Sequence, residues 1–169
     1  STSLAEQWTS WVVCKQPPMA GLGWALAASK PTVLHIVAHG AFGSTGDGQL
    51  ALEDDYGATH IVSSKEFAHQ VSASSVRLVV LSTCLSGAGE AVEKFHGLVQ
   101  ALVDSGVPSV VGMQYVVPVV TANLFSVQLY RALSPGTPLD EAVSLARRVL
   151  ASNPQLGPVD WAIPVLYMQ

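Results

Sequence analysis

The sequence predicts an α/β domain with a mostly parallel central sheet and a small accessory hairpin. Two mainly apolar runs, at 33–40 and 78–84, have the length and the β-branched content of buried parallel strands. From Pro31 onward, strand patterns alternate with helical patterns, which is typical of a parallel sheet. The 169 residues are enough for one domain with a sizeable core.

Each predicted element follows from its periodicity and its flanking residues. In chain order the elements are a strand at 32–38, a loop at 41–48, hairpin arms at 49–53 and 60–62, a helix from 64 to about 71, a strand at 77–82, one or two helices around 98–103, a strand at 109–113, a loop at 115–118, helices at 120–133 and 139–151, and a closing strand at 161–168. Ser63 with Glu66 forms a capping box for the first helix of the main domain. Thr137 is the predicted N-cap of the last helix, with Pro138 in its first turn. Pro164 lacks a backbone donor, so the closing strand is predicted at an edge or a bulge.

Charge and hydropathy narrow the class of protein and its partners. The chain is 49% hydrophobic and only 12% charged, which predicts a fully covered sheet and surface that meets another domain or a partner. A net charge of −4 without a basic run argues against nucleic acid or an anionic membrane as a direct partner. The uncharged stretch at 106–130 contains proline, glycine and amide residues, which favour strand, loop and helix over a membrane span. Two cysteines and no visible signal peptide predict a cytoplasmic protein.

The chain is expected to divide at about residue 30. Residues 1–30 are either a helix and a short strand that pack on the main unit or the tail of an upstream domain, and residues 31–169 form the main domain. The first residue is Ser1 rather than methionine, which fits a segment cut from a longer protein.

A cysteine and a histidine stand at the ends of the two apolar runs. Cys84 ends one run and His39 ends the other, and parallel strands deliver their last residues to the same edge of a sheet. A thiol and an imidazole that meet there are the two groups that nucleophilic catalysis by cysteine requires, the nucleophile and its base. Taken singly, Cys84 fits a buried structural thiol and His39 a hydrogen-bonded strand end. Gly40 follows His39, and its N–H with that of Cys84 could stabilise an oxyanion.

The other polar and titratable side chains are mostly predicted to be structural or surface residues without a catalytic role. His35 lies on the same strand face as His39 and is predicted to be a hydrogen-bonded residue, because no carboxylate or thiol with ligand spacing joins the two. No metal site is therefore predicted at these residues. The remaining histidines and most acids are predicted to be surface residues, Cys14 has no assigned role, and no Gly-x-Ser-x-Gly elbow occurs. One of the acids Asp47, Glu53, Asp54 and Asp55 could instead line a specificity pocket.

Six segments in a fixed order carry a resemblance to a known family. They are LHIVAHG at 34–40, QLALED at 49–54, VVLSTCLSG at 79–87, GLVQAL at 97–102, GVPSVVGMQ at 106–114 and LYRAL at 129–133, with Trp161 in the last strand region. On these segments the sequence resembles the CHAT branch of the caspase-like cysteine peptidases, the clan that also holds caspases, metacaspases, separases and gingipains.

The resemblance implies a fold, a reaction and a setting. It implies a caspase-like α/β/α sandwich, a His39/Cys84 dyad, and an oxyanion hole from the backbone of Gly40 and Cys84. Such enzymes cleave peptide bonds without metal or organic cofactor. The resemblance also implies a protein or peptide substrate and a regulatory domain, in the same polypeptide or in a partner protein, often in bacterial defence or cell death.

The sequence differs from the pattern of related enzymes in two places, one at a single residue and one at a pair. Metacaspases commonly carry an acid two residues before the cysteine, where it binds a basic substrate side chain; here that position is Ser82, so basic specificity is unsupported and a neutral side chain fits. Many CHAT domains carry acids where this chain has Val119 and Val120. The resemblance also implies that an extended substrate pairs with the segment of Met113, Gln114 and Tyr115, whose apolar surroundings indicate either side-chain pockets or a docking surface.

Two rival functions stay open at this point. The chain could be a catalytically silent interaction or scaffold module that keeps the fold. It could also be a thiol acyltransferase or lyase that uses the same two residues.

Overall fold

The computed structural model describes residues 12–14, 17–42, 48–54, 56, 58–84 and 91–169. Within them lie six strands of one sheet and five α-helices, which confirms the α/β prediction. The strands are β1 (Val33–Phe42), β2 (Gly48–Glu53), β3 (Thr59–Ser63), β4 (Leu78–Cys84), β5 (Ser109–Met113) and β6 (Pro164–Met168). The helices are α1 (Met19–Ser29), α2 (Ser64–Ser72), α3 (Ala91–Asp104), α4 (Val119–Leu133) and α5 (Leu139–Ser152), and a 3-10 turn spans Asp160–Ala162.

The sheet has a parallel centre and an antiparallel hairpin. Its strand order is β3-β2-β1-β4-β5-β6. At the centre, β4 pairs parallel with β1 on one side and with β5 on the other. β2 and β3 pair antiparallel and extend the sheet from β1, so the predicted accessory hairpin is confirmed. β6 lies at the opposite edge and begins at Pro164, which agrees with the edge position expected for a strand proline.

β1 is longer than the sequence predicted. The predicted strand ends at Ala38, but β1 continues to Phe42 because residues 39–42 pair antiparallel with 48–51 of β2. Ala41, Phe42 and Gly48 therefore lie in strands and not in a loop, and residues 43–47 lie outside the described residues. Pairing with β2 keeps these residues in a strand, and the local hydrophobicity of the sequence does not indicate this pairing.

The chain divides into two compact units. The sheet unit comprises Cys14–Val116 and Val165–Gln169, and the helical unit contains Val117–Pro164. In the helical unit α4 packs along α5, and Thr121 donates a buried hydrogen bond of 2.6 Å to the Asp160 carboxylate. The cap predicted at Thr137 is wrong, because Pro138 itself occupies the N-cap with an extended ψ of 145° and no side chain caps the helix.

One face of the sheet packs into the core of the sheet unit. α2 and α3 pack against each other and against the sheet, and α1 contributes Leu22 and Leu26 to the same core. Ser63 caps α2 as predicted, since its hydroxyl accepts a hydrogen bond of 3.2 Å from the Glu66 N–H. The strand residues in this core have one parity: Leu34, Ile36 and Ala38 on β1, and Val79 and Leu81 on β4. Because side chains alternate across a strand, the opposite parity defines the other face, called the site face below.

Candidate active site

The register of β1 and β4 places His39 beside Cys84. The two residues are Cα partners in the parallel ladder, at the carboxyl ends of neighbouring strands. Both have the parity of the site face, so they occupy adjacent positions on the same side of the sheet. The structure describes their backbone, and their side chains lie outside the described part of the chain.

Gly40 lies within β1 and pairs with Leu50 of β2. Cys84 is the last residue of β4, and residues 85–90, which follow it, lie outside the described residues. The backbone N–H groups of Gly40 and Cys84 therefore belong to neighbouring strands at this edge of the sheet. Their role as oxyanion donors stays a prediction.

A hydrogen-bonded pair lies behind these positions on the site face. His35 Nε2 and Ser82 Oγ are 2.9 Å apart and link β1 to β4. Ser82 is only 7% exposed, and burial lowers the pKa of the half-buried His35 below its ordinary value of 6.5. The prediction that His35 is hydrogen-bonded is confirmed, and the Ser82 hydroxyl, predicted to bind substrate, is engaged with this imidazole.

Val37 stands between the pair and the strand ends. It lies two residues from His35 and two from His39, and its register partner is Ser82. Although β1 is an inner strand, Val37 is 79% exposed. On the next strand Val80 is fully buried, so the site face is open at Val37 and closed at this point of β4. The exposure of Val37 was not predicted, because an apolar residue on an inner strand is expected to be buried.

The predicted substrate-pairing segment is only partly accessible. Met113 is fully buried and belongs to β5, which lies between β4 and β6, so a peptide cannot pair with the sheet along Met113 itself. Gln114 is half-buried, and Tyr115 is 52% exposed just beyond the end of the strand. An extended peptide could pair only with the residues that follow β5, from Gln114 onward.

The remaining candidates lie on the surface of the sheet unit. Cys14, His60 and His69 are exposed, and the side chain of His96 lies outside the described part. Asp54 is a turn residue: hydrogen bonds from the backbone of Ala58 and Tyr56 lower the pKa of its carboxyl. Among the residues that the structure describes, no three His, Cys, Asp or Glu side chains form a group that could hold a metal ion.

A groove of about 350 Å³ lies elsewhere on the sheet unit. Its lining comes from α3 and β6: Gly97, Val99, Gln100 and Tyr167. Val99 is part of the core and Tyr167 packs against it. The groove therefore lies on the side of the sheet opposite the site face. Burial raises the pKa of the Tyr167 phenol. None of the α-helices within the described ranges is long and apolar enough to span a bilayer.

Comparison with known proteins gives one family. The family model described as CHAT domain matches residues 21–169, which includes all six strands and most of α1. A search of curated proteins finds no significant match. Since the match covers nearly the whole chain, the protein belongs to the CHAT-domain family, a branch of the caspase-like cysteine peptidases.

Proposed function

We propose that the chain is a cysteine endopeptidase that cleaves a protein or peptide through a His39/Cys84 dyad. The observation that carries the proposal is the register that makes these residues Cα partners on adjacent parallel strands. Neighbouring strands are ~4.8 Å apart and paired residues face the same side, so a sulfur and a ring nitrogen at these positions can come within hydrogen-bond reach. Membership of the CHAT-domain family supports the same reaction.

In the proposed reaction the Cys84 thiolate attacks the carbonyl carbon of the scissile peptide bond. The negative charge that develops on the carbonyl oxygen is held by the N–H groups of Gly40 and Cys84. The carbon–nitrogen bond then breaks as the His39 imidazolium gives its proton to the leaving amine, which leaves a thioester on Cys84. A water molecule loses a proton to His39 and attacks the thioester, which releases the carboxylic acid and restores the thiolate–imidazolium pair.

Regulation by another domain or protein is part of this proposal. A regulatory domain in the same polypeptide, or a partner protein, would control the peptidase, as in bacterial defence systems. Exposed apolar side chains next to and within the first turn of α4 support such contacts: Tyr115, Val116, Val119 and Val120 are each more than half exposed.

Labelling by a peptide electrophile tests the proposal. A peptide acyloxymethyl ketone should add its peptide mass to Cys84, as read by intact mass and peptide mapping, because the reagent needs an activated thiolate held beside a bound peptide. Cys14→Ala is the matched control, since Cys14 is the other cysteine and is exposed. It should label at the wild-type rate, whereas Cys84→Ala should not label at all.

A substitution of His39 tests the second member of the proposed dyad. His39→Ala should slow labelling by a factor on the order of 10² or more, with an unchanged circular dichroism spectrum. Equal labelling of both cysteines, or an unchanged rate in His39→Ala, would remove the dyad from the mechanism. A Cys84 that no peptide electrophile modifies would support the interaction module instead.

A further inference from the structure

The outer sides of α4 and α5 differ in polarity. Val119, Val120 and Val127 lie on one side of α4, called the α4 face below, and are 67%, 61% and 42% exposed. Asn123 and Arg131 are exposed polar residues of that side. On α5, which packs along α4, the exposed positions are mainly polar and include Asp140, Glu141, Ser144 and Arg148. A surface helix normally turns polar residues to water, so the α4 face has the composition of an interface.

The described chain begins in the helical unit. Val12 and Val13 belong to this unit, whereas the sheet unit begins at Cys14. Both valines are more than half exposed. Residues 1–11, which lie outside the described residues, are therefore joined to the unit that carries the α4 face. A covalent link of this kind gives a segment a high effective concentration at the surfaces near its point of attachment.

The sequence of residues 1–11 has the pattern of an amphipathic helix. Leu4, Trp8 and Trp11 have spacings of four and three, which correspond to one side of a helix, and the opposite side carries threonine and glutamate. Leu4 and Trp11 are seven residues apart, about 10.5 Å along a helix, and so are Val120 and Val127 of α4. The apolar side of the segment therefore matches the α4 face in length.

We propose that residues 1–11 form an amphipathic helix that docks on the α4 face through Leu4, Trp8 and Trp11. An isolated helix of this length is marginal in water, so the segment needs such a surface in order to be helical. Docking of two indole rings and a leucine on exposed valines removes apolar surface of both partners from water. The proposal names an occupant, within this chain, for a surface suited to contacts, and it does not depend on a catalytic role for Cys84.

Hydrogen exchange of the full chain, read by mass spectrometry, tests the docking. Amides of residues 4–11 should exchange at least about tenfold more slowly than those of a free synthetic peptide of the same sequence. Val120→Asp should bring their exchange to within about twofold of the free peptide, because docking would bury a carboxylate without a partner. Trp8→Ser should have the same effect from the side of the segment.

The variants are chosen so that the fold survives. Val120 is exposed in the first turn of α4, where the helix dipole favours an aspartate. Ser144→Asp is the matched control, since it adds the same charge at an exposed position of α5, and it should keep the wild-type protection. Exchange in β4, which is buried through Leu81, should be unchanged in all three variants and reports that each one is folded.

Three results would overturn the proposal. Residues 4–11 that exchange as fast as the free peptide would show that the segment does not dock. Protection that persists in Val120→Asp would place the segment on another surface. Protection that grows with protein concentration would place it on a second copy of the chain. Labelling of Cys84 is measured separately: a protected segment with an unreactive Cys84 supports this inference and contradicts the peptidase function, and the converse result does the reverse.

Discussion

The two faces of strand β1 differ in what determines them. On the core face, Leu34, Ile36 and Ala38 pack against the buried residues of the sheet unit. On the site face, His35 is half-buried and bonded to Ser82, and Val37 is exposed. The core face is stabilised by the removal of apolar surface from water. On the site face, the arrangement depends on the register of β1 and β4, which determines which side chains meet. Substitutions on the two faces should therefore have effects of different size and kind.

The largest effect is expected in the core that packs on the first face. Phe67 on α2 is fully buried, so Phe67→Ala should lower the free energy of unfolding by about 3–5 kcal/mol, measured by urea denaturation. Trp24→Ala removes a similar aromatic ring that is 76% exposed and should cost less than about 1 kcal/mol. Equal losses in the two variants would contradict the packing described for this core.

A smaller effect is expected from the polar pair on the site face. Ser82→Ala removes the hydrogen bond to His35 Nε2 and should lower the free energy of unfolding by about 1 kcal/mol. Ser109→Ala is the matched control, because Ser109 is buried to a similar degree and its hydroxyl makes no hydrogen bond within the described structure. A cost for Ser82→Ala no larger than that for Ser109→Ala would mean that the pair adds nothing to stability.

The same difference between the faces explains what could be predicted from the sequence. The strands around Ile36, Leu81 and Val110 were predictable because buried parallel strands are continuously apolar. The extension of β1 to Phe42 was not, because it depends on pairing with β2. Local signals can also mislead, as at Pro138, which takes the N-cap position expected for Thr137.

The candidate site was predictable in part, for a related reason. Adjacent positions for His39 and Cys84 follow from two parallel strands that end at one edge, provided that the strands are neighbours. The partner of His35 could not be predicted, because Ser82 reaches it only in this one register of β1 and β4. The type of residue at Val37 predicts burial, and its exposure is a property of the assembled sheet.

The smallest effect is expected from pH, and it too belongs to the site face. Burial lowers the pKa of His35 below its ordinary value of 6.5, so the unfolded chain takes up this proton at a higher pH than the folded chain. Protonation therefore favours unfolding, and the stability that the neutral imidazole contributes should fall as the pH drops below 6.5. The measurement is the free energy of unfolding from about pH 8 to about pH 5.

His35→Gln is the control, because glutamine keeps hydrogen-bonding capacity without titrating in this range. Subtracting its pH profile from that of the wild type cancels the contribution of Asp54, whose pKa is lowered from 3.8 and whose stabilisation is lost only at more acidic pH. The difference should decline on acidification through 6.5. A difference that is flat, or that rises as the pH falls, would show that the folded protein holds the His35 proton at least as tightly as the unfolded chain, which contradicts the prediction.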